Sequence, residues 1–139
     1  MEAPVGNRLY FENTVGRVEE DQLGFVRLRY NAGRRDEAAY RGLLQHALRL
    51  LARQGHGRML VDQRQMEPFS AQEQQWLLGE WLPQAIREGG YRYGAVIQAQ
   101  NVFARLAMNT TAAHPNARAL TYRYFDDETP AVTWLLQQA

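Results

Sequence analysis

Residues 59–81 read MLVDQRQMEPFSAQEQQWLLGEW, and this stretch decides the fold that we predict for the chain. It begins with a short apolar run, which predicts a buried strand ending at Asp62. A polar loop follows, and Ser70 with Glu73 one turn later is the signature of a capping box at a helix start. The apolar and aromatic residues of that helix indicate that one of its faces is buried. We therefore predict a strand, a loop and a helix in succession, which is the repeating unit of an α/β protein.

The same kind of pattern continues on both sides of this unit. Alternating apolar and polar residues predict half-buried strands, and short apolar runs between turn residues predict inner strands. Capping residues and glycines mark where the intervening helices begin and end. The predicted strands are residues 9–18, 23–30, 58–62, 93–99 and 120–125. The predicted helices start after Asp36, Ser70 and Asn101 and within residues 126–130, with a kink or restart at Pro83.

This order, β-β-α-β-α-β-α-β-α, defines the predicted architecture. Strands that alternate with helices form a mainly parallel sheet. The two opening strands are joined by a short polar turn at residues 19–22, so we expect an antiparallel hairpin at one edge. The prediction is a single α/β domain over residues 1–139, in which residues 1–8 are a loose leader. Its one sheet is five-stranded, mixed and mainly parallel.

The composition excludes several classes of protein. The chain has 139 residues, of which 45 % are hydrophobic and 22 % charged, and its formal net charge is +1. So small a charge argues against nucleic acid as a partner. There is no cysteine, which excludes disulfides and thiolate metal sites. The first residues, MEAPVGNR, lack the apolar core of a signal peptide, and no apolar run is long enough to insert into a membrane. We expect a cytoplasmic protein.

Three segments carry a resemblance to a known family. They are LVD at residues 60–62, EWLPQAIREGGYRYGAVI at 80–97 and YFDDETPAVTWL at 124–135. With these segments the chain resembles the STAS domain family, which has the SpoIIAA-like fold. It is most similar to the small stand-alone bacterial proteins described as STAS-like or lipid-transfer-like. The resemblance extends over nearly the whole chain, and none of its segments is a catalytic motif.

The resemblance implies a regulatory module that binds other proteins and is not an enzyme. In the family's anti-sigma-factor antagonists, a partner kinase phosphorylates a serine at the start of the helix that follows the central strand. The matching position here is Ser70, which makes it a candidate phosphosite. This chain departs from the family pattern because Phe69 replaces the aspartate that precedes that serine. The alternative is that Ser70 is simply the residue that caps its helix.

The loop between the strand and the helix is the predicted binding site, with Asp62, Arg64, Glu67 and Ser70 as its candidate residues. It follows the carboxyl end of an inner strand, where open α/β sheets bind their ligands. Two interpretations of Asp62 and Arg64 are open. They could supply an acid/base group and an anion holder, as in a small hydrolase or lyase, or they could form an ion pair that orders the loop.

A second candidate site is an apolar pocket beside Trp76, Trp81 and Tyr91. Aromatic side chains near the Pro83 kink could line a pocket for a small molecule or lipid, or they could be core residues. The three histidines lie on separate predicted segments, so we predict no metal site, and no motif indicates a cofactor. The leading hypothesis is a non-catalytic module that binds a protein partner or a second copy of itself as a homodimer. A small-molecule or lipid-binding domain is the alternative.

Overall fold

The computed structural model describes residues 7–106 and 114–138, which form an α/β fold around one six-stranded mixed sheet. The strands are β1 (Asn7–Glu12), β2 (Gly16–Asp21), β3 (Val26–Tyr30), β4 (Arg58–Asp62), β5 (Tyr93–Ile97) and β6 (Thr121–Phe125). The helices are α1 (Glu37–Gln54), α2 (Ala71–Trp76), α3 (Leu82–Arg87), α4 (described over residues 102–106) and α5 (Glu128–Leu136). Within the described residues, no helix has the length and apolar character that crossing a bilayer requires.

The strands lie side by side in the order of the chain, from β1 at one edge to β6 at the other. The pairs β1–β2 and β2–β3 are antiparallel, and the pairs from β3 to β6 are all parallel. The antiparallel pairing of the strands around Val18 and Leu28 and the parallel arrangement of the later strands are confirmed. The predicted turn at residues 19–22 was misplaced, because β2 runs on to Asp21 and the turn to β3 follows it, and β1 is the edge strand. All four parallel strands end at the same edge of the sheet, which we call the carboxyl edge.

The prediction of five strands was wrong, because residues 9–18 form two strands. The Asn13 side chain accepts hydrogen bonds from the backbone N–H groups of Val15 (2.9 Å) and Gly16 (3.3 Å), which closes a tight turn. A side chain on Gly16 would collide with the backbone carbonyl of Arg29, so the second strand begins where only glycine fits against β3. Leu9, Phe11 and Val15 have the same parity on the two sides of this turn, so the sequence was interpreted as one continuous strand.

Two other predictions concern the residues before β1 and the start of α4. Strand β1 begins at Asn7, so Asn7 and Arg8 belong to the sheet and not to the predicted leader at residues 1–8. The rest of that leader lies outside the described residues. The Asn101 cap of α4 is confirmed, since its side chain accepts from the backbone N–H groups of Phe103 (2.9 Å) and Ala104 (3.2 Å).

The two faces of the sheet are covered differently. Helices α1, α2 and α3 pack on one face over the larger core cluster. Helix α5 packs on the other face against β4, β5 and β6, with a smaller cluster that includes Leu60, Ile97 and Leu135. On that second face, β2 and β3 present charged side chains such as Arg17 and Arg29. We call this charged half of the sheet the open face.

The predicted helix after the loop is confirmed at both of its distinctive points. Ser70 and Glu73 form the capping box in full. Farther along, residues Leu77–Trp81 form a π-helical turn, and α3 then begins with Pro83 in its first turn. Proline has no N–H to donate, so the helical ladder is interrupted here, and the Leu82 N–H bonds instead to the carbonyl of Leu77.

Candidate functional site

The loop that follows β4 lies at the carboxyl edge, as predicted, and two hydrogen bonds fix its first half. The backbone N–H of Gln63 donates to the carbonyl of Ile97 at 3.0 Å, and that of Met66 donates to the carbonyl of Gln63 at 3.0 Å. The side chains of Gln63 and Met66 are both buried. The loop is therefore anchored to the end of β5 and has a residue in the core, so it presents a defined surface.

Asp62 and Arg64 form the ion pair that was one of the two interpretations of this loop. The Asp62 carboxylate accepts from Arg64 Nη2 at 2.7 Å, from Arg64 Nε at 3.0 Å and from the Arg64 backbone N–H at 3.1 Å. Burial alone would raise the pKa of Asp62, but these hydrogen bonds outweigh it, and the pKa lies below its usual range. A carboxylate with a lowered pKa is a weak base at neutral pH. The geometry therefore favours the role of ordering the loop.

The second half of the loop is organised by Arg35, which the sequence did not single out. Arg35 Nε and Nη2 bond to the two carboxylate oxygens of Glu73 at 2.7 and 2.9 Å. Its guanidinium also donates to the backbone carbonyls of Glu67 (3.0 Å) and Pro68 (2.9 Å) and lies over the ring of Phe69. The Arg35 side chain is 4 % exposed. The guanidinium donors of Arg35 thus bond to the loop and to the first turn of α2, so Arg35 sets the shape of residues 67–70.

Ser70 and Glu67 line an open groove of about 650 Å³ between the start of α1 and the start of α2. The Ser70 hydroxyl accepts from the Glu73 backbone N–H at 3.0 Å, so the interpretation of this serine as a cap is confirmed. Ser70 is exposed, and Arg34 lines the same groove. The use of Ser70 as a phosphosite stays a prediction. The four candidate loop residues are thus divided: Asp62 and Arg64 lie at one cleft, and Glu67 and Ser70 lie at another.

The three aromatic candidates for an apolar pocket lie in the core. Trp81 and Tyr91 are 2 % and 1 % exposed, with ring centroids 6.0 Å apart. The Trp81 indole N–H donates to the carbonyl of Leu44 at 2.7 Å. Trp76 packs edge-on against Tyr40 with ring centroids 5.7 Å apart. These contacts give the three residues structural roles and favour the interpretation of them as core.

The start of α4 brings apolar side chains to the carboxyl edge, and this feature was missed in the sequence. Val102 and Phe103 are 62 % and 73 % exposed, and Leu106 is 58 % exposed. The Gln100 backbone N–H donates to the carbonyl of Arg64 at 3.2 Å, which holds this segment beside the loop. A signal was present, because Asn101 as the cap places the next two apolar residues in the first turn, where they can face away from the core.

Two pairs of opposite charges lie at the same edge as these apolar residues. Arg105 Nη2 lies 3.1 Å from an Asp126 carboxylate oxygen, and Arg105 Nε lies 3.3 Å from the amide oxygen of Gln98. The Asp62–Arg64 pair is the second, and the Gln100 N–H bonds to the Arg64 carbonyl just before α4. We define the edge surface as Asp62, Arg64, Val102, Phe103, Arg105 and Asp126. It has an apolar centre and a rim of paired charges.

Metal ligands do not gather at this edge or elsewhere in residues 7–106 and 114–138, where no three His, Asp or Glu side chains lie close enough to hold a metal ion. Among the histidines, His46 stacks on Phe11 with ring centroids 3.7 Å apart, and its Nδ1 lies 2.8 Å from the carbonyl of Gly42. It therefore joins α1 to β1.

The fold and the site define an α/β protein with a loop-and-helix surface at the carboxyl edge of its parallel strands. Comparison with protein families, with curated proteins and with solved structures finds no match to this chain.

Proposed function

We propose that this chain is a non-catalytic, STAS-like binding and regulatory module of the cytoplasm, with a SpoIIAA-like fold, that acts through protein–protein contact at the edge surface. The observation that carries the proposal is the exposure of Phe103, which is 73 % accessible in the first turn of α4. Large aromatic side chains contribute most of the binding energy where they enter a pocket on a partner. An isolated exposed apolar residue needs no explanation, but Phe103 has Val102 beside it and a rim of charges around it.

The composition of the edge surface matches that of protein interfaces. Such interfaces have an apolar centre enriched in aromatic residues, and arginine is the charged residue enriched within them. Phe103 and Val102 supply the centre, and Arg64 and Arg105 supply the arginines. Both arginines already lie against carboxylates, so their positions are set before a partner arrives, which lowers the entropic cost of binding.

A second copy of this chain is the partner that the charges of the edge surface fit. The rim contains Arg64 with Asp62 and Arg105 with Asp126, so its charges cancel. Two such surfaces can meet without net repulsion. In a two-fold symmetric dimer the same patch faces itself, and the Arg105 of each copy can reach the Asp126 of the other. A strongly charged partner would gain no comparable complementarity.

Asp62 supports the non-catalytic part of the proposal. Its carboxylate is held by Arg64 on both oxygens, and its pKa is lowered chiefly because the hydrogen bonds from Arg64 outweigh the effect of burial. General acids and bases work best when their pKa lies near the working pH. The pair is therefore better suited to recognition than to proton transfer.

Sedimentation velocity of the purified protein across a wide range of concentration tests this function. We expect the wild type to form a dimer that dissociates on dilution and Phe103→Ser to remain a monomer. Leu23→Ser is the matched control, because Leu23 is 50 % exposed in the turn between β2 and β3, and this variant should dimerise like the wild type. A wild type that stays monomeric throughout, or a Phe103→Ser variant that still dimerises, would overturn the proposal.

A further inference from the structure

A second site lies on the open face of the sheet, in a cleft of about 90 Å³ between β2, β3, β4 and the first turn of α5. We call it the arginine cleft. Its lining includes the arginines Arg17, Arg27, Arg29 and Arg64 and the carboxylates Glu19, Asp62 and Glu128. Four arginines thus line one small cleft, although the net charge of the whole chain is close to zero.

Each carboxylate of the cleft has an arginine partner. Glu19 lies 3.1 Å from Arg17, and Asp62 lies 2.7 Å from Arg64. Glu128 lies 3.0 Å from Arg27, which also bonds to Asp21 at 2.7 Å. Glu12 also lies 3.8 Å from Arg17, so three of the four arginines have carboxylate partners.

Arg29 is the arginine of the cleft that lies outside these ion pairs. Within residues 7–106 and 114–138, its guanidinium forms neither an ion pair nor a hydrogen bond. It also lines the adjoining hollow beside Arg64 and Gln100, so it stands where the cleft opens toward the carboxyl edge. This position leaves all of its donors available to a ligand that enters the cleft.

The position of Arg29 in the sheet makes an anion favourable there. Arg29 on β3 lies directly opposite Arg17 on β2 in the antiparallel register. Like charges at directly opposite positions destabilise a sheet, and a bound anion would relieve that repulsion. Arg17 Nε lies 3.1 Å from Glu19 and 3.8 Å from Glu12, and the other guanidinium nitrogens of Arg17 remain for a ligand.

The size of the cleft limits what it can hold. A volume of about 90 Å³ accommodates roughly three water molecules, since each occupies about 30 Å³ in the liquid. A phosphate group fits such a space, and a nucleoside does not. The planar guanidinium group is also the side chain best matched to phosphate oxygens, because its donors point in a fixed fork.

We propose that the arginine cleft binds a phosphate group, with Arg29 as the principal ligand and Arg17 as the second. The cleft shares Asp62 and Arg64 with the proposed dimer surface, but its test depends on Arg29, which is not part of that surface. Failure of one proposal therefore leaves the other standing.

Thermal unfolding and isothermal titration calorimetry with inorganic phosphate test the proposal. Phosphate should raise the melting temperature of the wild type more than sodium chloride does at the same ionic strength. Arg29→Gln should lose that difference and bind phosphate at least tenfold more weakly. Arg49→Gln is the control, because Arg49 is an exposed arginine on α1, away from the cleft, and this variant should respond like the wild type.

The same measurements with glycerol phosphate distinguish the source of the phosphate group. Binding of both probes assigns the cleft to phosphate monoesters, and binding of inorganic phosphate alone assigns it to the free ion. When phosphate is titrated into the wild type, the backbone amide chemical shifts measured by NMR should change most at Arg17 and Arg29. This measurement needs no variant. The proposal is overturned if the wild type gains no more from phosphate than from chloride, or if Arg29→Gln keeps the full gain.

Discussion

Arg35 binds Glu73 through two parallel hydrogen bonds of 2.7 and 2.9 Å, and this pair joins the segment before α1 to the first turn of α2. Glu73 also accepts from the Ser70 backbone N–H at 2.8 Å. One carboxylate thus completes both a capping box and a buried ion pair. The loop before α2 is held from two directions, and its stability depends on a residue far away in the sequence.

Removing Arg35 should therefore destabilise the protein. Arg35→Ala leaves the Glu73 carboxylate, 11 % exposed, without its partner, and the loss of one member of a buried pair costs about 3 kcal/mol. Urea unfolding measures the change in the free energy of unfolding. Arg34→Ala is the control, since Arg34 is exposed and should change stability by less than about 0.5 kcal/mol. Equal losses in the two variants would contradict a special role for Arg35.

The Glu73 carboxylate should also make stability depend on pH in the acid range. Burial would raise its pKa, but the hydrogen bonds from Arg35 and Ser70 outweigh burial and lower it in the folded state. The pKa of an unfolded glutamate is about 4.3, so the unfolded chain binds more protons just below that pH. The stabilisation is present above this range and is lost as the pH falls through the folded-state pKa.

Urea unfolding of the wild type and of Glu73→Gln from neutral to acid pH measures this dependence. The wild type should lose more free energy of unfolding than Glu73→Gln over the same acid interval. Parallel curves for the two proteins would show that Glu73 does not titrate differently on folding.

Ser70→Ala should cost about 1 kcal/mol through the loss of the N-cap. Ser70→Asp should keep most of the wild-type stability, because aspartate caps a helix about as well as serine does. Thermal unfolding compares the three proteins. If the alanine variant were as stable as the wild type, the hydrogen bond from the Glu73 N–H to Ser70 Oγ, 3.0 Å long, would contribute nothing.

The Asp62–Arg64 pair should order the loop while adding little to global stability. Arg64 is 39 % exposed, and exposed ion pairs contribute between about 0.2 and 1 kcal/mol. In Asp62→Asn we expect faster hydrogen exchange at residues 63–66 with a loss of stability below about 1 kcal/mol. Glu67→Gln, at an exposed position of the same loop, is the control. Unchanged exchange in Asp62→Asn would mean that the loop is fixed by its backbone contacts alone.

Local signals were sufficient to predict most of the elements. Asp36, Ser70 and Asn101 all cap the helices assigned to them, because an N-cap depends on residues within one turn. Gly55 ends α1 with a positive φ of 73°, a conformation that favours glycine. The restart of the helix at Pro83 likewise follows from the chemistry of a single residue.

The remaining features depend on contacts between distant residues. The role of Arg35 arises from Glu73 across the fold, and the register of Arg29 opposite Arg17 arises from strand pairing. Neither contact leaves a periodic pattern in the sequence. The exposure of Phe103 depends on which face of α4 meets the sheet, and the apolar positions within its first turn do not define that face.

Hydrogen exchange with mass spectrometry at low and high protein concentration is the measurement that tests the edge surface most directly. If two copies meet at this surface, amides within residues 98–106 should exchange more slowly at high concentration, and amides in the turn between β1 and β2 should not change. Exchange in residues 98–106 that is the same at every concentration would contradict Phe103 as the centre of the interface.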